Sequence, residues 1–290
     1  METRCRGQKR GEIFLGSLSR NRVKQFQATI YEHYQSHKRA MPWRQTQNPY
    51  HILVSEIMLQ QTQVERVLGK YEKFLARFPD FKTLARAPWP KVLAEWQGLG
   101  YNRRALALKR LAQAVVEDWG GVLPRNAEGL RSLPGVGPAT AGALLAFAFH
   151  QPVVFIETNI RRVFLHFFFA DRGGVTDREI LPLVEATLDR KRVRDWYYAL
   201  MDYGSGLRGA GPNPNRRSAH YARQSPFAGS NREVRSLILK ALLVEPILSR
   251  SELGRAAGIS PVRITAALEQ LLAEGFVIRE GENLRLACRV

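Results

Sequence analysis

The fold of this chain is decided by the stretch Leu133-Pro-Gly-Val-Gly-Pro-Ala-Thr-Ala141. Pro134 cannot continue the short helix predicted before it, whereas Pro138 suits the first turn of the helix predicted after it. Gly135 and Gly137 are expected to adopt backbone angles that other residues reach only with strain. The pattern therefore predicts a helix-hairpin-helix turn, with an ordinary loop between two helices as the alternative.

A hairpin of this kind directs backbone amides outward beside a helix N-terminus. The N–H groups of Gly135, Val136 and Gly137 are expected to point outward there, and Thr140 follows in the first turn of the next helix. Donors that converge at a helix N-terminus bind a phosphate oxygen. Because the side chains are small, a DNA backbone can come close, so we expect this turn to contact DNA.

The composition indicates a polyanionic partner. Lys and Arg number 44 against 26 Asp and Glu, which gives a formal net charge of +18 and favours nucleic acid. Cys5 and Cys288 lie at opposite ends, so we expect no disulfide framework, no metal and no cofactor. No apolar run approaches a membrane span, and the N-terminus lacks a secretory signal core. These features predict a cytoplasmic, bacterial-type protein associated with the nucleoid and not with membranes.

A carboxylate lies on an apolar helix face upstream of the hairpin. Asn48 and Pro49 predict the start of a helix that runs to Gln60. Glu56 shares one face of this helix with apolar residues one turn before and one turn after it. Burial there should raise its pKa, which prepares a general acid for work near neutral pH. A buried glutamate that pairs with an arginine for structural reasons is the alternative.

A second carboxylate follows the hairpin. Glu157 ends the apolar run that begins at Val153, and Asn159 is predicted to cap the next helix. A carboxylate just after a phosphate-binding helix suits chemistry that builds positive charge on a sugar. A glutamate that only caps a helix start is the alternative.

Polar segments complete the predicted DNA-contacting surface. The amides of Gln60-Gln-Thr-Gln63 could read base edges, fill the gap left by an extruded base, or simply cap their helix. Gly98-Leu-Gly-Tyr101 predicts a tight turn that approaches DNA or packs inside the protein, and the arginines of residues 204–232 should contact phosphates. The candidate DNA-binding residues are Gln60, Gln61, Tyr101, Gly135, Val136, Gly137, Thr140, Asn159, Arg208, Arg216 and Arg217.

Residues 229–290 predict a separate module. Three helices and a hairpin that turns at Gly281 make a winged helix, and no strand is expected before residue 270. Many such modules bind DNA with the third helix, where Arg263 and Thr265 are the obvious polar readers. A packing or protein-binding role is the alternative.

Six short segments keep a recognisable order and spacing over more than half of the chain. They read Met41-Pro-Trp43, Ser55-Glu-Ile-Met-Leu-Gln-Gln-Thr-Gln-Val64, Gly98-Leu-Gly-Tyr101, Leu133-Pro-Gly-Val-Gly137, Asn159-Ile-Arg-Arg-Val163 and Met201-Asp-Tyr-Gly204. Through these segments the chain resembles the helix-hairpin-helix (HhH-GPD) DNA glycosylase superfamily, most closely its MutY-type adenine glycosylase branch.

The resemblance implies a mainly α, two-lobed fold with the target base flipped into the cleft between the lobes. It also implies that Glu56 protonates adenine and that Glu157 stabilises the sugar cation. The implied domains are a basic arm at 1–20, a glycosylase domain at 21–228 with a six-helix barrel at about 41–155 and a second lobe from 21–40 and 156–228, and a winged helix at 229–290.

The chain departs from the family pattern in four ways. Glu157 replaces an aspartate, and Ala139 stands where bifunctional members hold lysine. A winged helix replaces the C-terminal domain that senses oxidised guanine, and Asn102 stands where a second tyrosine is common. The positions near the four cluster cysteines of many relatives hold Arg208, Asn215, Ser218 and Gln224.

The sequence thus predicts a monomeric, monofunctional DNA base-excision glycosylase with weak or no AP-lyase activity. Its partner would be double-stranded DNA containing a damaged or mispaired base, with adenine in a mispair as the first expected target. Deaminated or oxidised pyrimidines, such as uracil, hydroxyuracil or T in a G mispair, are the alternative targets. A non-catalytic protein that binds damaged or abasic DNA is the alternative function.

Overall fold

A computed structural model describes residues 18–209 and 211–288, so most of the predicted basic arm lies outside the described residues. None of the helices in this part combines the length and apolar character needed to cross a membrane. The elements are α1 (Arg20–His37), α2 (Pro42–Gln45), α3 (Pro49–Leu59), α4 (Val64–Arg77), α5 (Phe81–Arg86), α6 (Trp89–Trp96), α7 (Arg103–Asp118), α8 (Ala127–Ser132), α9 (Pro138–Ala148), α10 (Thr158–Phe168), α11 (Asp177–Thr187), α12 (Val193–Gly206), a 3-10 turn (Pro214–Arg217), α13 (Asn231–Val244), β1 (Leu248–Ser249), α14 (Arg250–Ala257), α15 (Pro261–Ala273), β2 (Val277–Glu280) and β3 (Asn283–Leu286).

The predicted helical hairpin joins α8 to α9. Gly135 has φ +80°, and a Cβ there would lie 2.9 Å from Ala107 Cβ, so both backbone and packing require glycine. Gly137 has φ −87° and ψ 177°, which is ordinary extended backbone at the N-cap of α9. The expectation of a special backbone angle is therefore wrong for Gly137, because the turn reverses at a single residue.

The described chain forms two compact units. The first combines residues 18–38 with 156–221, and the second combines 39–155 with 222–288. In the first unit α1 packs against α12, and α10 packs against both α11 and α12. Phe26 lies 5.2 Å from the Phe168 ring and 5.9 Å from the Trp196 ring, so aromatic side chains fill this core.

In the second unit α3 is the central helix. It packs against α4, α7 and α9, and Leu53, Val54 and Met58 have no exposed surface. A helix that is apolar on nearly every face can be stable only where neighbours surround it. Glu56 is therefore placed on the most enclosed helix of its unit.

Residues 231–286 form a winged helix within the second unit. Helices α13, α14 and α15 pack together beside a three-stranded sheet of order β1-β3-β2. The expectation of no strand before residue 270 is wrong, because Leu248 and Ser249 pair with Leu284 and Asn283. A strand of two residues is too short to show alternation in the sequence.

Candidate active site and DNA-binding surface

Glu56 lies in the second half of α3. The helix begins as predicted, since the Asn48 side chain accepts a 2.9 Å hydrogen bond from the Tyr50 N–H and Pro49 occupies the first position. Glu56 is half-buried, whereas Ile52 and Leu53 one turn earlier are buried. The carboxylate therefore stands at the border between core and surface.

The end of the Glu56 helix is held by Arg104, a residue that sequence reasoning missed. Its Nη1 donates to the carbonyls of Ile57 and Met58, at 2.9 Å each, and to that of Gln60. Carbonyls at a helix C-terminus have no partner within the helix, so the guanidinium supplies the missing donors. The orientation of Glu56 thus depends on Arg104.

The same guanidinium holds the glycine turn. Arg104 Nη2 donates to the carbonyls of Leu99 and Gly100, at 3.2 and 3.0 Å, and to Thr62 Oγ1 at 2.9 Å. Burial lowers the pKa of Arg104 to about 10, so the group remains charged. A signal was present in the sequence, because basic residues are disfavoured in the first turn of a helix and Arg103 and Arg104 both begin α7.

Gln60 links the Glu56 helix to the hairpin helix. Its Nε2 donates to Thr140 Oγ1 at 3.1 Å, so these two candidate DNA-binding side chains contact each other. The next residue, Gln61, is exposed and has φ +56°, while Tyr101 has φ +49°. They are two of three non-glycine residues with positive φ in the described chain, and such strain concentrates at functional sites.

The hairpin presents two free amides rather than three. The Val136 N–H donates to the Leu133 carbonyl at 3.2 Å and its side chain is buried, so the expected outward amide is wrong for Val136. The N–H groups of Gly135 and Gly137 donate to no acceptor in the described part of the chain. A Cβ on Gly137 would meet nothing within 4 Å, so the fold does not require glycine there and leaves room for an approaching backbone.

Glu157 is itself the N-cap of α10. Its Oε1 accepts hydrogen bonds from the backbone N–H groups of Asn159 and Ile160, at 2.7 and 2.8 Å. Its Oε2 accepts a 3.3 Å bond from Asn159 Nδ2. The prediction that Asn159 caps this helix is therefore wrong, because the longer Glu157 side chain reaches the free amides from the preceding position.

The charge state of Glu157 is set by opposing effects. Desolvation by burial raises its pKa, while the two backbone hydrogen bonds and the charges of Arg162 and Arg161 lower it. The net direction is upward, so the carboxylate is held in place but is harder to ionise than a glutamate in water. Arg161 is itself paired with Asp177 at 2.6 Å.

Arg162 fixes the amide beside Glu157. Its Nη1 donates to Asn159 Oδ1 at 2.9 Å and to the Gly204 carbonyl at 2.6 Å. A Cβ on Gly204 would lie 2.3 Å from the Asn159 carbonyl oxygen, so only glycine lets α12 come this close. The Met201–Gly204 segment therefore supports the Glu157 turn through packing.

The three candidate arginines of the basic loop have different surroundings. Arg208 and Arg216 are exposed, as a phosphate-contacting role requires. Arg217 donates to the Leu165 carbonyl at 2.9 Å and the Phe169 carbonyl at 3.4 Å, at the end of α10. The expected phosphate contact is wrong for Arg217, because its guanidinium is committed to helix carbonyls.

The positions near the cysteines of cluster-containing relatives do not fit an iron–sulfur cluster. Such clusters need thiolate ligands, and Asn215 and Ser218 are instead buried polar residues, 6% and 7% exposed. Asn215 Nδ2 donates to the Thr158 carbonyl at 3.1 Å, and the Ser218 backbone pairs with Val175. These residues hold the start of α10 with hydrogen bonds.

Comparison with known proteins now decides the family. The model of the HhH-GPD superfamily of base excision DNA repair proteins matches residues 54–185. The chain is 34% identical over 269 residues to the adenine DNA glycosylase of Mycobacterium tuberculosis, covering 85% of this chain and 88% of that relative. This chain belongs to the HhH-GPD superfamily. Its predicted placement among DNA N-glycosylases, near the adenine glycosylase branch, is confirmed.

Two further likenesses define the reach of this assignment. An adenine DNA glycosylase from Buchnera aphidicola is 36% identical over 58% of this chain, which spans only 48% of that relative's length. A solved thermostable thymine-DNA glycosylase has a TM-score of 0.59 and 29% identity, covering 65% of this HhH-GPD chain and 88% of its own. The predicted helical glycosylase fold is confirmed by this structure.

Proposed function

We propose that this HhH-GPD protein is a monofunctional glycosylase that removes adenine from mispairs in duplex DNA. The main support from the structure is the coupling of α3, which carries Glu56, to α9, which carries the hairpin amides. Gln60 bonds Thr140 across these helices, and Arg104 holds the end of α3. A protein that grips a phosphate through the hairpin therefore holds Glu56 in a fixed register to the bound strand.

The proposed reaction breaks the bond between the sugar C1′ and the adenine nitrogen. Glu56 donates a proton to the base, so the bonding electron pair leaves with a neutral base. The sugar becomes cationic, and the negative charge of Glu157 stabilises it. A water molecule then adds to C1′ and gives up a proton, which leaves an abasic site.

The longer carboxylate at position 157 is proposed to replace the aspartate of relatives. Three hydrogen bonds fix its two oxygens, so the extra methylene does not leave the charge free to move. Ala139 is small and provides no amine, which supports hydrolysis without a Schiff base. We propose that any AP-lyase activity is weak or absent.

A second candidate target is thymine. The solved thymine-DNA glycosylase is similar over 65% of this chain, so the same framework can carry a pocket for a pyrimidine. The two candidates differ in the leaving base and share the proposed roles of Glu56 and Glu157.

The test is an excision assay on a panel of duplexes that carry every mispair and common deaminated or oxidised bases. Alkali-labile cleavage at adenine is the expected result, and cleavage only at thymine or uracil would favour the second candidate. Tight binding without cleavage on every duplex would indicate a non-catalytic DNA-binding protein. We further propose that the protein acts as a monomer on the DNA of the bacterial nucleoid, in the cytoplasm.

A further inference from the structure

The winged helix does not offer the usual reading surface on its third helix. Arg263 Nη2 donates to the Gly229 carbonyl at 3.1 Å, and Thr265 Oγ1 accepts a hydrogen bond from Arg250. The two side chains expected to read DNA are therefore engaged within the module. A different part of the module must explain its presence in a DNA repair protein.

The module is fixed to the helices of residues 39–155 by a buried contact. Trp89 and Phe276 have no exposed surface and meet edge to face, with ring centroids 5.5 Å apart. Glu274 accepts hydrogen bonds from Arg103 at 2.6 Å and from Arg235 at 2.6 Å, so two arginines from the two sides share one carboxylate. This attachment holds α13 at a constant position beside the Gly98–Tyr101 turn.

A groove of about 860 Å³ lies between α13 and the two strained segments around Gln61 and Tyr101. Pockets of about 300–1,000 Å³ accommodate molecules of nucleotide size. Four arginines and seven carboxamide side chains line the groove, and no carboxylate occurs among the described residues that line it. Its chemistry therefore suits an anion that carries hydrogen-bonding edges.

Aromatic and amide groups in the groove match the faces and edges of a nucleobase. Phe227 is 53% exposed and can stack on a base, and Asn231, Gln224 and Gln270 expose both donor and acceptor atoms. Stacking on aromatic rings and bidentate amide hydrogen bonds are the common means of holding an unpaired base. A protein partner would not require this combination.

The winged helix also holds the tyrosine that borders the groove. Arg232 Nη1 donates to the Tyr101 hydroxyl at 2.7 Å, and its Nη2 is held by the Ser225 carbonyl at 2.7 Å. Tyr101 has a strained backbone that surrounding contacts must maintain. The module thus fixes a candidate DNA-contacting residue of the neighbouring helices.

We propose that this groove binds the unpaired base left opposite the extruded nucleotide, and that Phe227, Asn231 and Gln224 set the opposite-base preference. The proposal rests on the proposed function, because only base flipping leaves such a partner base exposed. In this account the winged helix acts through the start of α13 and the preceding loop. Its third helix supports the groove through Gln270.

The test measures binding without catalysis, so its outcome does not depend on the excision assay. Four duplexes carry a stable tetrahydrofuran abasic analogue opposite A, C, G or T, and the dissociation constant is measured for each. The wild type should show a clear spread between the best and poorest duplex. The Phe227→Ala/Asn231→Ala variant should reduce that spread by about 10-fold, the size of one lost bidentate contact.

The matched control is Val262→Ala/Arg255→Ala, which removes one apolar and one polar exposed side chain of the same module outside the groove. It should keep the wild-type spread. Gln224→Ala, in a loop, provides a second groove variant that leaves α13 intact. An equal spread in the groove variants and the control, or no spread in the wild type, would overturn the proposal, as would a groove that serves only a protein partner.

Discussion

Glu56 and Glu157 occupy opposite kinds of helix position. Glu56 lies within α3, where backbone N–H groups are already bonded to carbonyls of the preceding turn. Glu157 lies at the start of α10, where N–H groups lack helix partners and the helix dipole favours a negative charge. The difference teaches that one carboxylate can carry a proton to be transferred, while the other is anchored as a fixed anion.

Neutralising the anchored carboxylate should have the largest effect. Glu157→Gln keeps an oxygen that accepts from the Asn159 and Ile160 amides, but it removes the charge that stabilises the sugar cation. Single-turnover excision should fall by about 10³-fold, in the range of other lost electrostatic contacts in active sites. A rate near wild type would reduce Glu157 to a helix cap.

Shortening the same side chain sharpens the point. Glu157→Asp moves the charge by roughly 1 Å, and such a misplacement can reduce the rate by about 10²-fold. The α10 start should remain folded, since aspartate is also a good N-cap. A gain in excision over an inactive wild type would mean that the natural protein is a disabled enzyme that binds damaged DNA.

Arg104 tests whether the Glu56 helix needs a fixed end. Arg104→Lys keeps a positive charge but cannot reach carbonyls in both α3 and the glycine turn with one planar fork. We expect a lower melting temperature and a loss of excision of roughly 10-fold, because misplaced groups slow catalysis. Arg110→Lys, exposed on the same helix, is the control. Equal behaviour of the two variants would contradict the positioning role.

The raised pKa of Glu157 gives a smaller effect on stability. Because the folded pKa exceeds the unfolded one, ionisation at higher pH destabilises the folded wild type, and protonation at low pH removes this penalty. The melting temperature of Glu157→Gln relative to wild type should therefore increase as pH rises from about 4 to 8. A constant difference across this range would show that burial does not penalise the charge.

The smallest expected signal is covalent trapping. Residues 110–190 contain no lysine, and Ala139 offers no amine near the hairpin. Borohydride treatment of the protein with its substrate duplex should therefore yield almost no covalent complex. Efficient trapping would require another amine and would refute a purely hydrolytic role.

Local signals in the sequence predicted much of this fold. Asn48 and Pro49 at the start of α3, and the two prolines around the hairpin, fix their elements through backbone chemistry alone. The same local reasoning was wrong where a longer side chain competed, as when Glu157 took the cap position expected for Asn159. It was also wrong for Val136, whose amide closes the turn.

Long-range contacts account for what the sequence could not predict. Arg217 and Arg104 are charged residues that a composition argument assigns to DNA or to solvent, yet both donate to helix carbonyls distant in sequence. The groove beside α13 depends on Trp89 and Phe276 meeting, which no local pattern indicates. The roles of Glu56 and Glu157 remain predictions, since chemistry must test them.

The central claim is that Glu56 transfers the proton, and single-turnover excision by Glu56→Gln tests it most directly. The amide preserves the shape of the side chain and removes the proton. We predict that excision of adenine from a mispaired duplex falls by at least about 10²-fold, while affinity for the same duplex stays at the wild-type value. Excision at the wild-type rate would contradict the account and return Glu56 to a structural role.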